Sequence, residues 1–566
     1  MNIIEKVKKY EGIENWEQKC LHEYLKMWSE NYENNIAVVE GNYSITYPEL
    51  NMHVNEMSDM LKKVGIKKED KILVQLPNRM SFIILTFAIA AIGAIPILAL
   101  PAHREAELCG IIELAKPVAY IVPRFFMGYD YIEIGHALTK KYSCLKYLFI
   151  DDELPEEKGA KNSFPHLSTL SLQLKVNNEL SELISLQTAI KSKEINRPIS
   201  IIPDEDIPNY TDILFLLLSG GTTGTPKLIP RTNIDYMYNA RMAAQRCKLN
   251  EDSIYLAVLP IAHNFVLSCP GILGTFWAGG KVVLSKNTSP DEVLPIIERE
   301  HVTIMALVPS LVALYLEVLE WDNLNELSSL QVLQVGGAVF NANIARQVTP
   351  QIGCKLQQVF GVAEGLICFT SLDDEEEIIY TCQGQPISPE DDVKIVNENG
   401  REVAAGIYGE LLTRGPYTIS GYYNAPEANK LSFTSGDYYC TGDKARITEQ
   451  GNIQIEGRVK EQINRAGEKI MPAEIERYLC THEDVIEVAV VGVPDESLGT
   501  RSCAFILTDN QNIDTAFVNK YLKEIGVATY KMPDQVERVD SWPFTAVGKI
   551  DKKQLANVAI EKRNAR

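Results

Sequence analysis

A loop rich in glycine and threonine carries the clearest chemical signal in this chain. The segment from Ser219 to Lys227 reads SGGTTGTPK and follows an apolar run, Ile213 to Leu218, that predicts a buried strand. Glycines let the backbone approach a ligand closely, N–H groups and threonine hydroxyls donate hydrogen bonds, and the lysine adds positive charge. This composition suits the phosphates of a nucleotide, whereas the alternative is a flexible surface turn. The predicted phosphate-binding residues are Ser219, Gly220, Gly221, Thr222, Thr223, Gly224 and Lys227.

The loop differs from the common P-loop, in which G-x-x-x-x-G precedes a lysine and a serine or threonine follows it. Here Gly221 and Gly224 are only three residues apart. Pro226 precedes the lysine, and Leu228 follows it where a magnesium-binding hydroxyl would be needed. These differences argue against a P-loop ATPase or motor.

The elements that must position this loop form an alternating pattern. Short β-rich runs (IAVVEG, KILVQLP, VAYIVP, KYLFID) alternate with helical stretches such as Tyr47 to Val64. Such alternation is typical of parallel α/β layers. From Gly384 to Thr448 the pattern changes to short strands separated by glycine and proline turns. We therefore predict an α/β fold with layered α/β subdomains and one β-rich subdomain.

A domain boundary is predicted near Gly457 and Arg458. The last segment, of about 110 residues, carries its own pattern of strands and helices. That length suffices for a small α+β domain. The prediction is a large N-terminal domain over residues 1–457 and a small, mobile C-terminal domain over residues 458–566.

One segment, Ser81 to Pro101, is nearly uncharged and long enough to span a bilayer. Gly93 and Pro96 divide it into a helix-length piece and a strand-length piece. We predict a buried helix followed by a core strand, and the alternative is a membrane transporter.

Composition restricts the class of protein further. A formal net charge of −20 argues against binding nucleic acid or anionic membrane over a broad surface. The 11 cysteines include no C-x-x-C pair, and the chain shows no N-terminal apolar signal stretch. Both features predict a reducing, cytoplasmic location. The 8 histidines show no H-x-x-H spacing, so a zinc site is not expected.

Eight ordered sequence blocks resemble the adenylate-forming superfamily of acyl-CoA synthetases, luciferases and nonribosomal peptide adenylation domains. The blocks are SGGTTGTPK, PIAHNFVLSCPG, QVGGA, QVFGVAEG, GELLTRGPYTISGYY, YYCTGD, GRVKEQINRAGEKI and PFTAVGKIDKKQL. Within the superfamily, the chain is most similar to stand-alone aryl-acid adenylating enzymes of siderophore biosynthesis. Their substrates are 2,3-dihydroxybenzoate or salicylate. The resemblance implies that ATP and Mg²⁺ convert an aryl acid into aryl-AMP and pyrophosphate.

The resemblance also implies a nucleotide site. The loop from Ser219 to Lys227 would hold the β- and γ-phosphates, and Glu364 would bind Mg²⁺. Asp443 would accept hydrogen bonds from the ribose hydroxyls. Other interpretations are a helix N-terminal carboxylate for Glu364 and a simple turn aspartate for Asp443. The remaining implied nucleotide-binding residues are Gly336, Gly337, Ala338, Gly361 and Arg458.

Lys549, in PFTAVGK, is the implied catalytic cation, together with Glu364 as the second catalytic residue. Two anions, the carboxylate and the α-phosphate, must meet, so a positive charge between them lowers the barrier. Gly548 would let the loop enter a narrow cleft. The alternative is a solvated lysine next to Lys552 and Lys553.

The substrate pocket is expected around Asn264. Amino-acid-activating relatives usually place an aspartate there, and a neutral amide leaves the substrate ammonium without a counter-charge. An asparagine can instead hydrogen-bond an ortho hydroxyl. In the enzymes that the chain resembles, those for 2,3-dihydroxybenzoate tend to carry serine and valine where Cys269 and Ile367 stand, and those for salicylate tend to carry cysteine and a larger aliphatic residue. The resemblance therefore ranks salicylate ahead of 2,3-dihydroxybenzoate, and the alternative interpretation of Cys269 is a small core residue. The full predicted set is His263, Asn264, Phe265, Cys269, Val362, Ala363 and Ile367.

For the second half-reaction, the resemblance implies a hinge at Lys460 that swings Lys549 out of the site. The chain ends soon after the lysine block, so the expected acceptor is the phosphopantetheine thiol of a separate aryl carrier protein. The alternative is coenzyme A, which would make the protein a benzoate-type CoA ligase. A further alternative is a pure binding or scaffold role, in which none of the predicted nucleotide-binding residues would have a function.

Overall fold

The fold is described from a computed structural model. The described residues are 3–152, 162–163, 170–176, 179–180, 184–185, 207–219, 227–321, 326–465, 468–495, 498–545 and 548–564.

The helices are amphipathic or fully buried according to the layer that they join. Helix α3 shows how their ends are fixed: Thr46 and Glu49 form a reciprocal capping box, and Gly65 ends the helix at φ 105°. In chain order the helices are α1 (Ile3–Lys9), α2 (Leu21–Asn31), α3 (Tyr47–Val64), α4 (Met80–Ala91), α5 (Glu105–Ala115), α6 (Tyr131–Lys141), α7 (Asn233–Arg246), α8 (Asn264–Ser268), α9 (Gly271–Trp277), α10 (Pro290–Glu300), α11 (Pro309–Trp321), α12 (Ala342–Ile352), α13 (Glu376–Thr381), α14 (Pro426–Ser432), α15 (Pro472–Leu479), α16 (Thr515–Glu524) and α17 (Lys552–Asn564).

Sheet A is a mostly parallel sheet, with the order β21-β20-β19-β18-β17-β15-β16-β1-β2-β9. Its central strands β1 and β15 to β19 pair in parallel, and their residues are almost entirely buried. Its strands are β1 (Ile36–Glu40), β2 (Tyr43–Thr46), β9 (Asn162–Ser163), β15 (Ile254–Ala257), β16 (Lys281–Leu284), β17 (Ile304–Leu307), β18 (Val332–Gly336), β19 (Lys355–Gly361), β20 (Ile367–Phe369) and β21 (Gln385–Pro386).

Sheet B has the order β11-β10-β8-β5-β3-β4-β13-β14, and β12 also pairs with β10. Its middle strands are parallel, and the hairpin β13–β14 closes one edge. Its strands are β3 (Lys71–Val74), β4 (Ile95–Leu98), β5 (Ala119–Pro123), β8 (Tyr147–Asp151), β10 (Leu170–Val176), β11 (Glu179–Leu180), β12 (Ile184–Ser185), β13 (Ile213–Leu218) and β14 (Leu228–Thr232). A separate ribbon joins β6 (Phe125–Phe126) to β7 (Tyr129–Asp130).

Sheet C confirms the predicted β-rich subdomain. Its four antiparallel strands are β22 (Asp392–Val396), β23 (Gly409–Arg414), β24 (Tyr439–Ile447) and β25 (Ile453–Arg458). Strand β25 ends at Arg458, next to the predicted domain boundary. That boundary itself stays a prediction.

Sheet D forms the core of the small C-terminal unit. Helices α15 and α16 cover one face, and α17 covers the other with Leu555 and Ala559. Its strands are β26 (Ile463–Arg465), β27 (Glu468–Ile470), β28 (Glu487–Asp495), β29 (Gly499–Leu507) and β30 (Gln535–Val539). Together with the larger α/β part, this unit confirms the predicted fold class.

The apolar segment Ser81 to Pro101 folds as predicted from its glycine and proline. It contains the buried helix α4 and the core strand β4. Within the described residues, no helix is both long and apolar enough to cross a membrane.

The small unit contacts the large one at the lysine loop PFTAVGK and at two further points. The hydroxyl of Ser310, on α11, donates a 2.8 Å hydrogen bond to the carbonyl of Gly548. The side-chain amide of Asn343 donates to the carbonyl of Cys480 at 2.8 Å, and Lys469 pairs with Glu398. These contacts hold the loop that carries Lys549 against the end of sheet A.

Candidate active site

The predicted phosphate loop connects the two strands of a hairpin. Leu218 of β13 pairs with Leu228 of β14, so the segment between them must reverse direction. Ser219 and Lys227 close its base: the Ser219 N–H donates to the Lys227 carbonyl at 3.1 Å, and the Lys227 N–H donates to the Ser219 hydroxyl at 3.3 Å. The other predicted loop residues, Gly220, Gly221, Thr222, Thr223 and Gly224, lie outside the described residues.

Lys227 points from the loop base toward a cluster of tyrosines and one acid. Its Nζ lies 4.5 Å from the ring centroid of Tyr422, a cation–π geometry. Burial lowers the pKa of Lys227, the negative charge of Glu364 opposes that effect, and the positive charge of Lys460 adds to it. The structure therefore brings Lys227, Glu364 and Lys460 into one electrostatic neighbourhood.

Glu364 is buried and held by two tyrosines. The hydroxyl of Tyr422 donates to Glu364 Oε1 at 2.7 Å, and the hydroxyl of Tyr439 lies 3.1 Å from that of Tyr422. Burial and the Glu364 charge raise the pKa of both tyrosines, so both stay protonated donors. The backbone is fixed as well, because the N–H of Ile419 donates to the Glu364 carbonyl at 2.7 Å.

A single carboxylate of this kind fits Mg²⁺. Magnesium usually keeps several waters and binds through one or two carboxylates plus the phosphates of its substrate. Within the described residues there is no cluster of three or more His, Cys, Asp or Glu side chains that could hold a metal alone. Glu364 would therefore share the ion with the nucleotide.

Asp443 has an unsatisfied oxygen in the same cleft. Strands β24 and β25 place it opposite Arg458, whose Nε lies 3.1 Å from Asp443 Oδ1. Oδ2 is buried and has no hydrogen-bond partner among the described residues. Burial raises the pKa of Asp443 to about 6, and Arg458 opposes that rise. A buried carboxylate oxygen without a partner is costly, so this atom is suited to accept from a ligand hydroxyl.

Lys549 reaches this cleft from the small unit. Burial lowers its pKa, and the charge of Arg458 adds to the decrease, whereas Asp443 opposes it. The lysine stem runs beside Gly337, where a Cβ would lie 3.5 Å from Lys549 Cε. The arrangement places one positive charge within electrostatic reach of both Asp443 and His263.

The end of β18 forms a narrow wall between the two halves of the site. A Cβ on Gly336 would lie only 3.2 Å from Cζ of Phe265, and Gly337 adopts φ 89°, a conformation that favours glycine. Ala338 is exposed at the same turn. On the neighbouring strand, a Cβ on Gly361 would lie 3.4 Å from Ile367 Cγ1. These small residues leave space for a flat ring.

The predicted specificity residues cluster at helix α8. His263 caps it, with Nδ1 accepting from the Phe265 N–H at 3.2 Å. Burial and the nearby Lys549 lower the pKa of His263 to about 4, so the ring is neutral at physiological pH. Asn264 follows with an exposed fraction of 8%, and its Nδ2 donates to Sγ of Cys269 at 3.5 Å. Burial raises the pKa of Cys269 to about 12, so it remains a thiol.

The other three predicted pocket residues lie in the turn after β19 and at the start of β20. Val362 and Ile367 are buried and apolar, and Ala363 is partly buried. The Ala363 carbonyl accepts a 2.8 Å hydrogen bond from the fully buried guanidinium of Arg231. All three side chains are apolar, and apolar side chains suit contact with an aromatic ring.

Lys460 lies in a short 3₁₀ turn, Val459–Glu461, immediately after β25. It is exposed, and it stands between the large and the small unit in the chain. Its role as a hinge stays a prediction.

Several residues of the site were not singled out by the sequence analysis. Tyr422, Tyr439 and Ser310 hold Glu364 or the Lys549 loop, and their roles depend on contacts over long sequence separations. Tyr422 and Tyr439 do stand inside the blocks GELLTRGPYTISGYY and YYCTGD, which could have drawn attention to them. Tyr236 and Arg231 lie behind the acid pocket and gave no such signal.

Comparison with known proteins places this geometry in a family. Residues 25–423 match the AMP-binding enzyme family, and residues 474–549 match the AMP-binding enzyme C-terminal domain. A 2,3-dihydroxybenzoate-AMP ligase of Bacillus subtilis is 42% identical over 97% of this chain and 95% of its own length. A 2-hydroxy-7-methoxy-5-methyl-1-naphthoate–CoA ligase of Streptomyces carzinostaticus is 36% identical over 97% of this chain and 95% of its own length. The apo structure of MbtA from Mycobacterium smegmatis has a TM-score of 0.71 and 34% identity, covering 98% of this chain and 97% of that one.

Proposed function

The chain belongs to the AMP-binding enzyme family, and from this premise we propose that it adenylates an aryl carboxylic acid that carries an ortho hydroxyl. ATP would donate its AMP moiety to the carboxylate, and pyrophosphate would leave. Both relatives named above act on aromatic acids according to their names, and they match this chain over nearly its whole length.

The observation that carries this proposal is the neutrality of the acid pocket. Asn264 carries an uncharged amide, His263 is neutral because its pKa is lowered to about 4, and Ile367 and Val362 are apolar. An α-ammonium group would find no counter-charge there, and burying an unpaired charge is strongly unfavourable. A benzoate ring with one polar ortho substituent matches this set of partners.

The chain's own residues divide the chemistry as follows. Asp443 Oδ2 would accept from the ribose, and Lys227 and the loop that it closes would hold the terminal phosphates. Lys549 would lie between the carboxylate and the α-phosphate, where it lowers the repulsion between the two anions as the new bond forms. When bound through Glu364, Mg²⁺ would supply further neutralisation of phosphate charge.

Within this class we rank salicylate ahead of 2,3-dihydroxybenzoate. The Cys269 thiol is buried and contacts Asn264 at 3.5 Å, and a thiol is a weak hydrogen-bond partner for a 3-hydroxyl. Ile367 is fully buried, and its bulk leaves less space for a 3-hydroxyl than a smaller residue would. The name of the Bacillus subtilis relative supports 2,3-dihydroxybenzoate instead, so both acids belong in the test.

The test is ATP–pyrophosphate exchange across benzoate, salicylate, 2,3-dihydroxybenzoate and 3-hydroxybenzoate, with amino and fatty acids as controls. We expect exchange with the ortho-hydroxy acids and none with the controls. Cys269→Ser should raise the kcat/KM ratio of 2,3-dihydroxybenzoate to salicylate. Exchange that depends on an amino or fatty acid would contradict the proposed class, and a wild-type preference for 2,3-dihydroxybenzoate would reverse the ranking.

For the second half-reaction we propose transfer to the phosphopantetheine thiol of a separate aryl carrier protein. Coenzyme A is the second candidate, supported by the name of the Streptomyces relative. Comparing thioester formation with CoA and with a loaded carrier protein, at equal thiol concentration, distinguishes the two acceptors.

A further inference from the structure

The side-chain amide of Asn264 is held from behind by two hydroxyl groups. Tyr236, on α7, donates a 2.9 Å hydrogen bond to Asn264 Oδ1, and Ser268 Oγ lies 3.4 Å from the same oxygen. All three side chains are buried. The amide oxygen is therefore turned toward α7, and the amide nitrogen toward Cys269, which is one of the predicted pocket residues.

The direction of these hydrogen bonds is fixed by a third residue. The amide of Asn239 donates to Ser268 Oγ at 2.8 Å and to the Ser268 carbonyl at 3.0 Å. Because Ser268 Oγ already accepts from Asn239, its single hydrogen is available for Asn264 Oδ1. Burial raises the pKa of Tyr236, so its hydroxyl also remains a donor. If the Asn264 amide rotated by 180°, both hydroxyl hydrogens would face its NH₂ group and lose their acceptor.

Tyr236 is itself held rigidly in place. Its ring lies edge-on to Phe215, with centroids 5.7 Å apart and an interplanar angle of 87°. The guanidinium of Arg231 lies over the same ring, 4.7 Å from the centroid. Packing and the cation–π contact fix the ring, and the ring fixes the hydroxyl.

We propose that Tyr236 is a positioning residue that sets the polarity of the acid pocket, and that it selects ortho-hydroxy over ortho-amino benzoates by locking the Asn264 amide with its NH₂ group toward the ring. This inference rests on the proposed function. The Asn264 NH₂ carries two hydrogens, and among the described residues only Sγ of Cys269 accepts from it, so one hydrogen remains for the substrate.

The chemistry of the two substituents explains the selection. An ortho hydroxyl donates its hydrogen to the neighbouring carboxylate and presents its oxygen as an acceptor to the pocket. An ortho amino group donates one hydrogen to the carboxylate and presents a second hydrogen instead. The locked NH₂ group of Asn264 complements the first and opposes the second, and a buried donor that faces another donor costs binding free energy.

The test compares kcat and KM for salicylate, anthranilate and benzoate in ATP–pyrophosphate exchange. Benzoate has no ortho group, so each value is divided by the benzoate value to remove general effects on folding. Tyr236→Phe keeps the ring but removes the donor. We expect this variant to lower the ratio of kcat/KM for salicylate to kcat/KM for benzoate about fivefold to tenfold, mainly because KM for salicylate rises. The corresponding kcat/KM ratio of anthranilate to benzoate should rise.

Tyr238→Phe is the matched control, because Tyr238 lies on the same helix and is equally buried. Its hydroxyl bonds Ser388 at 2.7 Å rather than Asn264, so this variant should leave both ratios unchanged. In an Asn264→Ala background, Tyr236→Phe should no longer change the ratios, because the residue through which it acts is gone. Ser268→Ala provides a second removal of a donor if Tyr236→Phe does not fold.

Two outcomes separate this inference from the proposed function. If the wild type catalyses pyrophosphate exchange with none of salicylate, anthranilate and benzoate, the proposed function fails. If it does exchange, but Tyr236→Phe changes the ratios no more than Tyr238→Phe does, the positioning role of Tyr236 is refuted while the proposed function stands.

Discussion

The hydroxyl of Tyr422 donates a 2.7 Å hydrogen bond to Oε1 of Glu364, and the ring of the same tyrosine lies under the Nζ of Lys227. One aromatic side chain therefore touches both the proposed metal ligand and the base of the phosphate loop. This contact gives the first prediction.

Tyr422→Phe should lower the affinity for Mg²⁺, because phenylalanine lacks the hydroxyl donor that orients Glu364. The contact with Lys227 should remain, because phenylalanine keeps the ring. We expect the Mg²⁺ concentration for half-maximal pyrophosphate exchange to rise roughly threefold to tenfold, the scale of one lost hydrogen bond to a charged group. Tyr423→Phe, the same change one residue away, serves as the control. An unchanged Mg²⁺ dependence in Tyr422→Phe would show that Glu364 needs no orientation by this hydroxyl.

Lys549→Ala should reduce adenylation by roughly 10²–10³ or more, the scale of removing one preorganised donor from a reacting centre. The fold should survive, since the lysine lies in a loop outside the helices and strands of sheet D. Pyrophosphate exchange is the measurement, with thermal unfolding as the check of integrity. Lys553→Ala, an exposed lysine on the following helix, is the matched control. A folded Lys549→Ala protein that exchanges near the wild-type rate would remove this lysine from the mechanism.

The alkaline limit of activity should respond to Arg458. Burial and the positive charge of Arg458 lower the pKa of Lys549, so a rate that needs the protonated lysine declines as pH rises through that lowered pKa. Replacing Arg458 by glutamine removes one of the lowering effects and should move the alkaline decline of kcat to higher pH. Arg458→Lys keeps the charge and should leave the decline in place. A shift to lower pH in Arg458→Gln would contradict the assignment.

Nucleotide binding should weaken in mild acid because of Asp443. Its pKa is raised to about 6, so the carboxylate that would accept from the ribose is ionised above that pH and protonated below it. ATP affinity should therefore be retained at pH 7 and above and fall as pH falls through about 6. Nucleotide phosphates also titrate near this pH. Asp443→Asn is therefore the control, because its remaining pH dependence of ATP affinity comes from groups other than Asp443.

Asp443→Asn should bind ATP roughly tenfold more weakly at neutral pH, and the part of the acid dependence that belongs to Asp443 should disappear. Titration calorimetry between pH 5 and 8 would measure both proteins. Equal pH profiles for the two would show that Asp443 does not contact the nucleotide.

Lys460→Pro should separate the two half-reactions. Lys460 stands in the short turn between β25 and the C-terminal unit, and a proline there restricts backbone rotation. We expect adenylate formation to use the arrangement described above, in which Lys549 already lies near Asp443, so this half-reaction should be spared. Thioester formation should fall, because it is expected to need a different arrangement of the small unit. Lys460→Ala is the control, and an equal loss of both half-reactions would argue against a hinge at this position.

Much of this architecture could be predicted from the sequence because the signals were local. The apolar run Ile213–Leu218 became β13 with the same bounds, and Gly93 and Pro96 correctly divided Ser81 to Pro101 into a helix and a strand. The pattern change after Gly384 likewise marked sheet C. Periodicity and turn residues act over a few positions, so one sequence suffices to detect them.

The supporting contacts of the site could not be predicted in the same way. Tyr236 meets Asn264 across 28 positions, Tyr422 meets Glu364 across 58, and Ser310 meets Gly548 across 238. A buried tyrosine on α7 reads as ordinary core, and only the packing of helices and sheets shows which hydroxyl faces which acceptor. The first thirty residues gave no chemical signal either, yet Lys6 of α1 is buried with its ammonium group on the carbonyl of Thr418.

Arg231 limits where this pocket can change during evolution. Its solvent-free guanidinium binds Asp235, the carbonyl of Ala363 and the carbonyl of Tyr417, so three distant stretches of chain share one anchor. Substitution there would disturb the protein as a whole before it altered the choice of acid. Ile367, by contrast, is a buried apolar side chain at the start of β20. New substrate ranges should therefore arise by drift at positions such as Ile367, while Arg231 stays invariant among functional descendants.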